Sequence, residues 1–343
     1  MSDDRVAMDP VGRVVKVPVP FSNLQSWTTP NEHVFVVAHM GIARVEAGRW
    51  RLAIGGLVDR PLVLSYEDVL GLPSRTVTAL LECAGNPLRP DEPVNRIANV
   101  TWKGVVLRTL LTEAGVRPQA KYVWLEGEDY GSFADVYSEC YVKDVPLATA
   151  MDDGTILAYE MNGVPLSAEH GFPLRALVSG FYGTNSVKWL KRIVLAEKRP
   201  ESLFTTKLYN RRVEVGHRVV TEPVWELRIK SLIVRPSSRA VLGPGMWLVG
   251  GWAWAAAGVA GVEVSTDDGK AWAPAHLEER VGHSWQPFVY PWRVTDRGTY
   301  RLLSRATDTS GIVQPAASGP NRWHRVEVTV SERATAPDGD SGS

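Results

Sequence analysis

Short β-rich segments fill the last third of the chain and constrain its fold more than any other feature. From Trp225 onward they recur at 231–234, 246–249, 262–265, 300–303 and 324–330, separated by Gly, Pro and Asp turns. About seven strands within roughly 100 residues predict an all-β immunoglobulin-like sandwich over 225–332. This region contains no cysteine, so we expect it to lack the disulfide of antibody domains.

The part before it mixes short strands with short helices. Strand-like segments lie at 49–56, 76–83, 122–126 and 155–161. Ser65 followed three residues later by Asp68 predicts a capped helix, and 107–114 predicts a helix ended by Gly115. This alternation is typical of a mixed α+β domain, which we place at 30–212. We expect an extended arm at 1–29, a linker at 213–224 and a disordered tail at 333–343.

Composition limits the partners of the protein. The chain has 343 residues with 38 basic and 38 acidic side chains, a formal net charge of zero. No nucleic-acid partner is expected, because such proteins carry clustered excess positive charge. No membrane span is expected, because no apolar run approaches the roughly 20 residues that cross a bilayer. The start of the chain lacks a signal-peptide pattern, which predicts a cytoplasmic protein; a chain whose leader had been removed would instead be periplasmic.

Cys83 is the most informative single residue for function. It lies in the stretch Leu-Glu-Cys-Ala-Gly-Asn at 81–86, between a strand-like run and a turn. Gly lets a backbone approach a ligand closely, and Asn supplies both a donor and an acceptor. That setting suits a thiolate presented to a metal or an electrophile, although a buried apolar role for the thiol stays open. The only other cysteine, Cys140, lies in an alternating segment that favours packing, so a disulfide framework is not expected.

The stretch around Cys83 resembles the cysteine loop of the sulfite oxidase family of molybdenum enzymes. Further blocks that resemble this family lie at 158–166 (Ala-Tyr-Glu-Met-Asn-Gly-Val-Pro-Leu), 170–175 (His-Gly-Phe-Pro-Leu-Arg), 187–190 (Val-Lys-Trp-Leu), 262–265, 268–272 and 323–326 (Trp-His-Arg-Val). The resemblance covers roughly residues 30–332. It implies a mixed α/β molybdopterin-binding domain followed by the sandwich, and a homodimer formed through the sandwich.

The resemblance also implies a cofactor, a reaction and the residues that serve them. The cofactor is molybdenum held by a pyranopterin, and the reaction is two-electron oxygen-atom transfer, by default sulfite to sulfate. Because the chain has no Cys-x-x-Cys-His haem motif, we expect no haem and a separate electron carrier such as a cytochrome. Cys83 matches the thiolate ligand of the metal and Tyr209 an active-site tyrosine. The cofactor-binding positions that match are His39, His170, Arg175, Ser186, Val187 and Lys188.

The residues alone leave plainer roles open. His170 is also suited to capping a turn, Lys188 to a solvated strand end and Tyr209 to a domain junction. A cofactor-free binding protein on the same two domains is a second hypothesis. Cysteine hydrolase chemistry, with Cys83 and a histidine, is a third, but its local signatures are absent.

The chain departs from the family where an anionic substrate binds. Val37, Pro87, Leu88 and Tyr290 occupy positions at which sulfite-oxidising members carry arginines, and Thr109 replaces an acidic cofactor contact. Because each charge-assisted hydrogen bond contributes ~1.5–3 kcal/mol, we predict weak sulfite binding with a raised KM. The alternatives are a less charged substrate or reduction of an S- or N-oxide. The arginines considered as replacements are Arg89, Arg96, Arg211 and Arg293.

Overall fold

The computed structural model describes residues 6–10, 13–87, 94–216, 218–316 and 319–332. These residues form two compact units. The first comprises the residues before Leu24 and those from Thr28 to Leu227; the second comprises Leu24–Trp27 and the residues from Arg228 onward. Leu88, Arg89 and the predicted tail at 333–343 lie outside the described residues.

The first unit contains most of the strands and all three described α-helices. Its helices are α1 (Tyr66–Leu70), α2 (Leu107–Ala114) and α3 (Leu147–Ala150), with 3₁₀ turns at Asn31–His33 and Gly183–Asn185 and a π-helical turn at Leu203–Lys207; a further 3₁₀ turn, Phe21–Gln25, extends into the second unit. Its strands are β1 (Ala7–Asp9), β2 (Val15–Val17), β3 (Val36–Ala38), β4 (Ile42–Arg44), β5 (Arg51–Gly56), β6 (Leu62–Ser65), β7 (Ser74–Glu82), β8 (Ile97–Val106), β9 (Tyr122–Gly127), β10 (Gly131–Phe133), β11 (Val136–Ser138), β12 (Val142–Pro146), β13 (Thr155–Met161), β14 (Val164–Pro165), β15 (Arg175–Val178), β16 (Leu190–Ala196), β17 (Asn210–Val215) and β18 (Arg218–Pro223).

Two five-stranded sheets organise this unit. One has the order β12-β9-β16-β5-β6, and the other has the order β14-β13-β8-β7, with β15 paired to β13. Strands β5 and β16 are parallel, whereas the neighbouring pairs β5–β6 and β9–β16 are antiparallel. One apolar core joins both sheets, because Leu52 of β5, Leu125 of β9 and Leu157 of β13 belong to the same buried cluster as Leu110 and Leu111 of α2.

Several elements agree closely with the predictions from local sequence signals. Helix α2 has the predicted bounds, and Gly115 ends it with a left-handed φ of +73°. Helix α1 starts with the predicted capping box: the Ser65 hydroxyl accepts a hydrogen bond from the Asp68 N–H, and the Asp68 carboxylate accepts one from the Ser65 N–H. Each arrangement satisfies backbone groups that a helix end leaves unpaired.

The structure differs from the sequence interpretation in three segments. Within the predicted arm, β1 pairs with β4 and β2 pairs with β3. Within the predicted linker, β18 pairs with β17 in a hairpin. Cys140 lies in a bend between β11 and β12 rather than in a strand, and it is partly buried.

The second unit is built from strands alone among its described residues, apart from the end of the Phe21–Gln25 turn. Its strands are β19 (Lys230–Arg235), β20 (Val241–Leu242), β21 (Gly245–Trp254), β22 (Val259–Ser265), β23 (Ala273–Pro274), β24 (His276–Leu277), β25 (Gln286–Val294), β26 (Gly298–Asp308) and β27 (His324–Val330). They form one sheet of order β19-β21-β25-β24 and a second of order β20-β27-β26-β22-β23. Residues of both sheets, among them Val249, Phe288, Val264 and Leu302, share one core. In neither unit do the described residues include a helix long and apolar enough to cross a bilayer.

The partly buried imidazole of His324 makes the second unit sensitive to acid. Its Nδ1 accepts a hydrogen bond from the Ile233 N–H at 3.1 Å, and burial lowers the His324 pKa from 6.5 to about 4. Between these two values the unfolded chain binds the extra proton and the folded chain does not, so stability falls as the pH is lowered. We expect this group to remove about 2 kcal/mol from the free energy of unfolding between pH 7.5 and pH 4.5.

The check is chemical unfolding of the wild type and of His324→Gln at both pH values. Glutamine keeps an acceptor for the Ile233 N–H but does not titrate. The variant should therefore lose less stability than the wild type over this interval. An identical pH dependence of the two proteins would contradict the assignment.

Candidate functional site

Cys83 lies directly after β7, where the local hydrogen bonds fix its backbone. Its N–H donates to the Arg96 carbonyl at 3.0 Å, which extends the pairing of β7 with β8 by one residue. The Asn86 side-chain oxygen accepts hydrogen bonds from the N–H groups of Asn95 and Arg96, both at 2.9 Å. The loop after Cys83 is therefore closed onto the segment that enters β8, and the thiol is held at the end of the strand.

All eight predicted site residues line one cavity of the first unit, with a volume of about 660 Å³ that includes space open to solvent. Cys83, His39, Lys188 and Tyr209 are partly exposed there, whereas His170, Arg175, Ser186 and Val187 are buried. The remaining lining residues are Phe35, Val37, Ala38, Leu81, Asp129, Tyr141, Glu169, Gly183, Thr184 and Trp189.

Arg175 is a buried cation without a described acidic partner. Its guanidinium donates to the carbonyls of His170 and Ser186, each at 3.1 Å, and lies 4.9 Å from the Trp102 ring centroid. The Nε–H has no hydrogen-bond partner among the described residues. Burial lowers the Arg175 pKa to about 9, so the site disfavours this charge unless an anion enters. The cavity is thus prepared for an anionic ligand.

Lys188 and Asp129 are two further titratable residues of the cavity wall. The Lys188 ammonium donates to the Glu169 carbonyl at 2.8 Å and lies 4.2 Å from the Trp189 ring centroid. Burial lowers the pKa of Lys188 and raises that of Asp129, and each group partly offsets the effect on the other. Asp129 was missed by the sequence reasoning, because no motif marks it; only the pairing of β9 with β16 brings it beside Lys188.

His170 and Ser186 hold the wall together as well as lining it. Burial, followed by the charges of Arg175 and Lys188, lowers the His170 pKa to about 3, so its imidazole is neutral at neutral pH. The Ser186 hydroxyl accepts the Val178 N–H at 3.1 Å. The Val187 carbonyl accepts the Ala176 N–H at 2.8 Å. These backbone groups are therefore fixed before any ligand binds.

Tyr209 and His39 form a hydrogen-bonded pair in the cavity lining. The Tyr209 Oη and the His39 Nε2 are 2.7 Å apart. Burial lowers the His39 pKa to about 4, and burial raises the Tyr209 pKa. Both groups are neutral at neutral pH, so the imidazole tautomer decides which of them donates: the phenol donates to an unprotonated Nε2, and a protonated Nε2 donates to the phenol oxygen.

Tyr209 is held in an unfavourable backbone conformation by its surroundings. Its φ of +57° is rare for a residue with a side chain. The fully buried Lys143 supports this segment: its ammonium donates to the Phe204 carbonyl in the π-helical turn at 2.8 Å and lies 5.1 Å from the Tyr209 ring centroid. Burial lowers the Lys143 pKa to about 8. Lys143 also escaped the sequence reasoning, which had no local signal for it.

The residues present fit a molybdopterin ligand. Among the described residues, no cluster of three or more His, Cys, Asp or Glu side chains is arranged to hold a metal ion. A metal at Cys83 would therefore take its other ligands from a non-protein group, as an enedithiolate provides. The buried Arg175, whose Nε–H has no partner among the described residues, suits the phosphate of such a group.

The positions at which the chain departs from the family lie in different environments. Val37 lines the cavity, whereas Thr109 lies exposed on α2 and is not part of the lining. Tyr290 packs against the core of the second unit. Pro87 is buried in the loop that follows Cys83.

Of the arginines predicted as replacements, the three that the structure describes are not among the lining residues. Arg96 donates to the Gly85 carbonyl, and Arg211 pairs with Glu222 at 3.1 Å in the hairpin of β17 and β18. Arg293 is exposed on β25 of the second unit. Arg89 lies outside the described residues.

Comparisons with known proteins agree with this class of site. The Oxidoreductase molybdopterin binding domain family matches residues 39–204, and the Mo-co oxidoreductase dimerisation domain family matches residues 221–331. A solved structure, the sulfane dehydrogenase SoxCD from Paracoccus pantotrophus, is 32% identical with a TM-score of 0.77, and the match covers 92% of this chain and 80% of that chain. The fold and the cavity define a molybdopterin-binding oxidoreductase class.

Curated relatives give the family. Sulfite oxidase of Gallus gallus is 31% identical over 341 residues, which cover 88% of this chain and 73% of the relative. Mitochondrial sulfite oxidase of Rattus norvegicus is 30% identical over 352 residues, 91% of this chain but only 63% of that protein. An inducible NADH nitrate reductase of Glycine max is 32% identical over 364 residues, 91% of this chain and 40% of that protein. The chain belongs to the sulfite oxidase family of molybdopterin oxidoreductases.

Proposed function

We propose that this protein is a molybdenum-cofactor-dependent oxidoreductase that transfers an oxygen atom to or from a small oxyanion, with sulfite oxidation to sulfate as the first candidate. The observation that carries the proposal is the thiol of Cys83 in one cavity with the buried cation Arg175. The family assignment supports it. Neither observation alone distinguishes an enzyme from a binding protein; together they support a soft metal ligand and an anion site in the same cavity.

Each site residue then has a role that follows from its surroundings. Cys83 would ligate the metal, and Arg175, His170 and Lys188 would hold the pterin phosphate. When bound, the cofactor supplies the two-electron redox chemistry that no protein side chain offers. The Tyr209 hydroxyl, which is hydrogen-bonded to His39, would be a neutral donor for a substrate oxygen.

The reaction implies partners beyond this chain. Sulfite oxidation consumes one water and releases two protons and two electrons, so an electron acceptor is required; we propose a separate carrier such as a cytochrome, with no haem in this chain. We also propose that the second unit is an immunoglobulin-like sandwich that forms a homodimer, since its two sheets share one core and its sequence matches a dimerisation domain. Sedimentation at micromolar concentration tests the dimer. The cellular compartment stays a prediction, which cell fractionation would test.

Metal analysis of the purified protein tests the proposed function. We expect about one molybdenum per chain, a pterin fluorescence signal after oxidation, and reduction of an artificial acceptor when sulfite is added. Protein that binds no molybdenum when produced in cells able to make the cofactor would favour the cofactor-free binding protein. Loaded protein that oxidises no sulfite but reduces nitrate or an S- or N-oxide would favour the reverse direction, for which the likeness to a nitrate reductase is the supporting observation.

A further inference from the structure

The N-terminal arm places a lysine opposite Val37. Strands β2 and β3 are antiparallel, and their register pairs Lys16 with Val37. Directly opposed residues of an antiparallel pair project from the same face of the sheet. Because Val37 lines the cavity, Lys16 stands on the cavity side of this two-stranded ribbon. The side chain of Lys16 is exposed, so a solvated ligand can reach it.

The charge of Lys16 acts on a group of the cavity lining. Burial dominates the lowered pKa of His39, and the charges of Lys188 and then Lys16 lower it further. This agrees with the position of Lys16 opposite Val37, two residues before His39.

Lys16 also differs in its bonding from the other described cations near the cavity. No hydrogen bond or ion pair links it to a residue within the described part of the chain. Lys188 is bonded to the Glu169 carbonyl beside Asp129, and Arg175 is bonded to two carbonyls. Arg96 is bonded to the Gly85 carbonyl and is not a lining residue. Among the residues that the structure describes, Lys16 is therefore a positive charge without a hydrogen-bond or ion-pair partner that lies opposite Val37.

We propose that Lys16 binds the anionic substrate at the cavity mouth and supplies, from the N-terminal arm, the positive charge that Val37 does not. The ligand class is a small oxyanion, with sulfite as its representative. The proposal rests on the proposed function for the reaction that follows binding, but the charge and its position do not depend on that reaction. Lys16 acts on substrate binding, so its removal should change KM more than kcat.

A test without turnover uses cofactor-free protein and alkylation of Cys83. The Cys83 thiolate attacks the CH2 carbon of either iodoacetate or iodoacetamide and displaces iodide, so the ratio of the two rates cancels changes in the Cys83 pKa and reports the local charge. Mass spectrometry of the Cys83 peptide separates it from Cys140. In Lys16→Gln we expect the ratio of iodoacetate to iodoacetamide rate to fall about threefold. Lys16→Arg should keep the wild-type ratio, and so should Lys270→Gln, which removes an exposed lysine of the second unit.

A second test uses the loaded enzyme and sulfite. Lys16→Gln should raise the KM for sulfite about fivefold with kcat within a factor of about two. The double variant Lys16→Gln/Val37→Arg should recover much of the lost affinity, because arginine returns a charge to the opposite position. An unchanged alkylation ratio in Lys16→Gln overturns the proposal whatever the enzyme does. A lowered ratio in protein that does not turn over sulfite would support the charge assignment while refuting the proposed reaction.

Discussion

Replacing Cys83 by serine is expected to abolish turnover while the fold is kept. Cys83 lines the cavity, and its backbone is fixed by the Arg96 carbonyl, so serine occupies the same place without disturbing the loop. A hydroxyl does not replace a soft, anionic sulfur at a high-valent metal. Since loss of even an outer-sphere partner of a metal ligand costs 10–100-fold, we expect loss of the ligand itself to cost more than about 100-fold in kcat.

Cys140→Ser is the matched control for this substitution. Cys140 lies in a bend outside the cavity lining, and burial raises its pKa to about 11, so it is a poor thiolate at neutral pH. The control should keep its activity, its molybdenum and the thiolate-to-metal absorption band. Cys83→Ser should lose the band and the activity, with an unchanged far-ultraviolet circular dichroism spectrum. Full activity in Cys83→Ser would refute the assigned role of the thiol.

The elements that could be predicted from sequence are those decided within a few residues. Leu107, Leu110, Leu111 and Ala114 follow the spacing of one helix face, and Gly115 supplies the left-handed end. The Ser65 capping box is likewise a local pattern. Such signals do not depend on where the rest of the chain lies.

The site residues required a different kind of information. His39, Cys83 and Tyr209 are far apart along the chain, and their own neighbours do not indicate that they meet. Their resemblance to a known family predicted the grouping, and the structure places all of them on one cavity. Their chemical roles remain predictions until the cofactor is measured.

Features set by long-range pairing were not predicted. Asp129 joins Lys188 only through the pairing of β9 with β16, and Lys143 reaches the Phe204 carbonyl across 61 positions of sequence. The sequence interpretation named only arginines as replacements for the missing charge and did not include Lys16. The N-terminal segment has no clear hydrophobic period, so its sequence does not indicate that β2 pairs with β3 in the register that opposes Lys16 to Val37. Strand register is determined by the partner strand, so one segment read by itself does not contain it.

Replacing Arg175 by methionine is expected to give a folded protein that retains little cofactor. The guanidinium is buried, its Nε–H lacks a partner among the described residues, and burial already lowers its pKa to about 9. An anionic phosphate would satisfy both the charge and the free donor, with about 1.5–3 kcal/mol per charge-assisted hydrogen bond. We therefore expect the molybdenum content of purified Arg175→Met to fall about tenfold or more.

A thermal measurement separates cofactor binding from stability of the fold. A ligand that binds only the folded state stabilises it in proportion to the logarithm of its affinity, so the difference in unfolding free energy between loaded and cofactor-free protein should shrink by about 1.4 kcal/mol for each tenfold loss. Arg280→Met is the control, because Arg280 of the second unit is partly buried and donates to the Ala256 carbonyl at 3.1 Å. It should lower the stability of both forms equally and leave the molybdenum content unchanged. If Arg175→Met behaved in the same way, the guanidinium would be a structural cation bonded to two carbonyls, and the phosphate would have to bind elsewhere in the cavity.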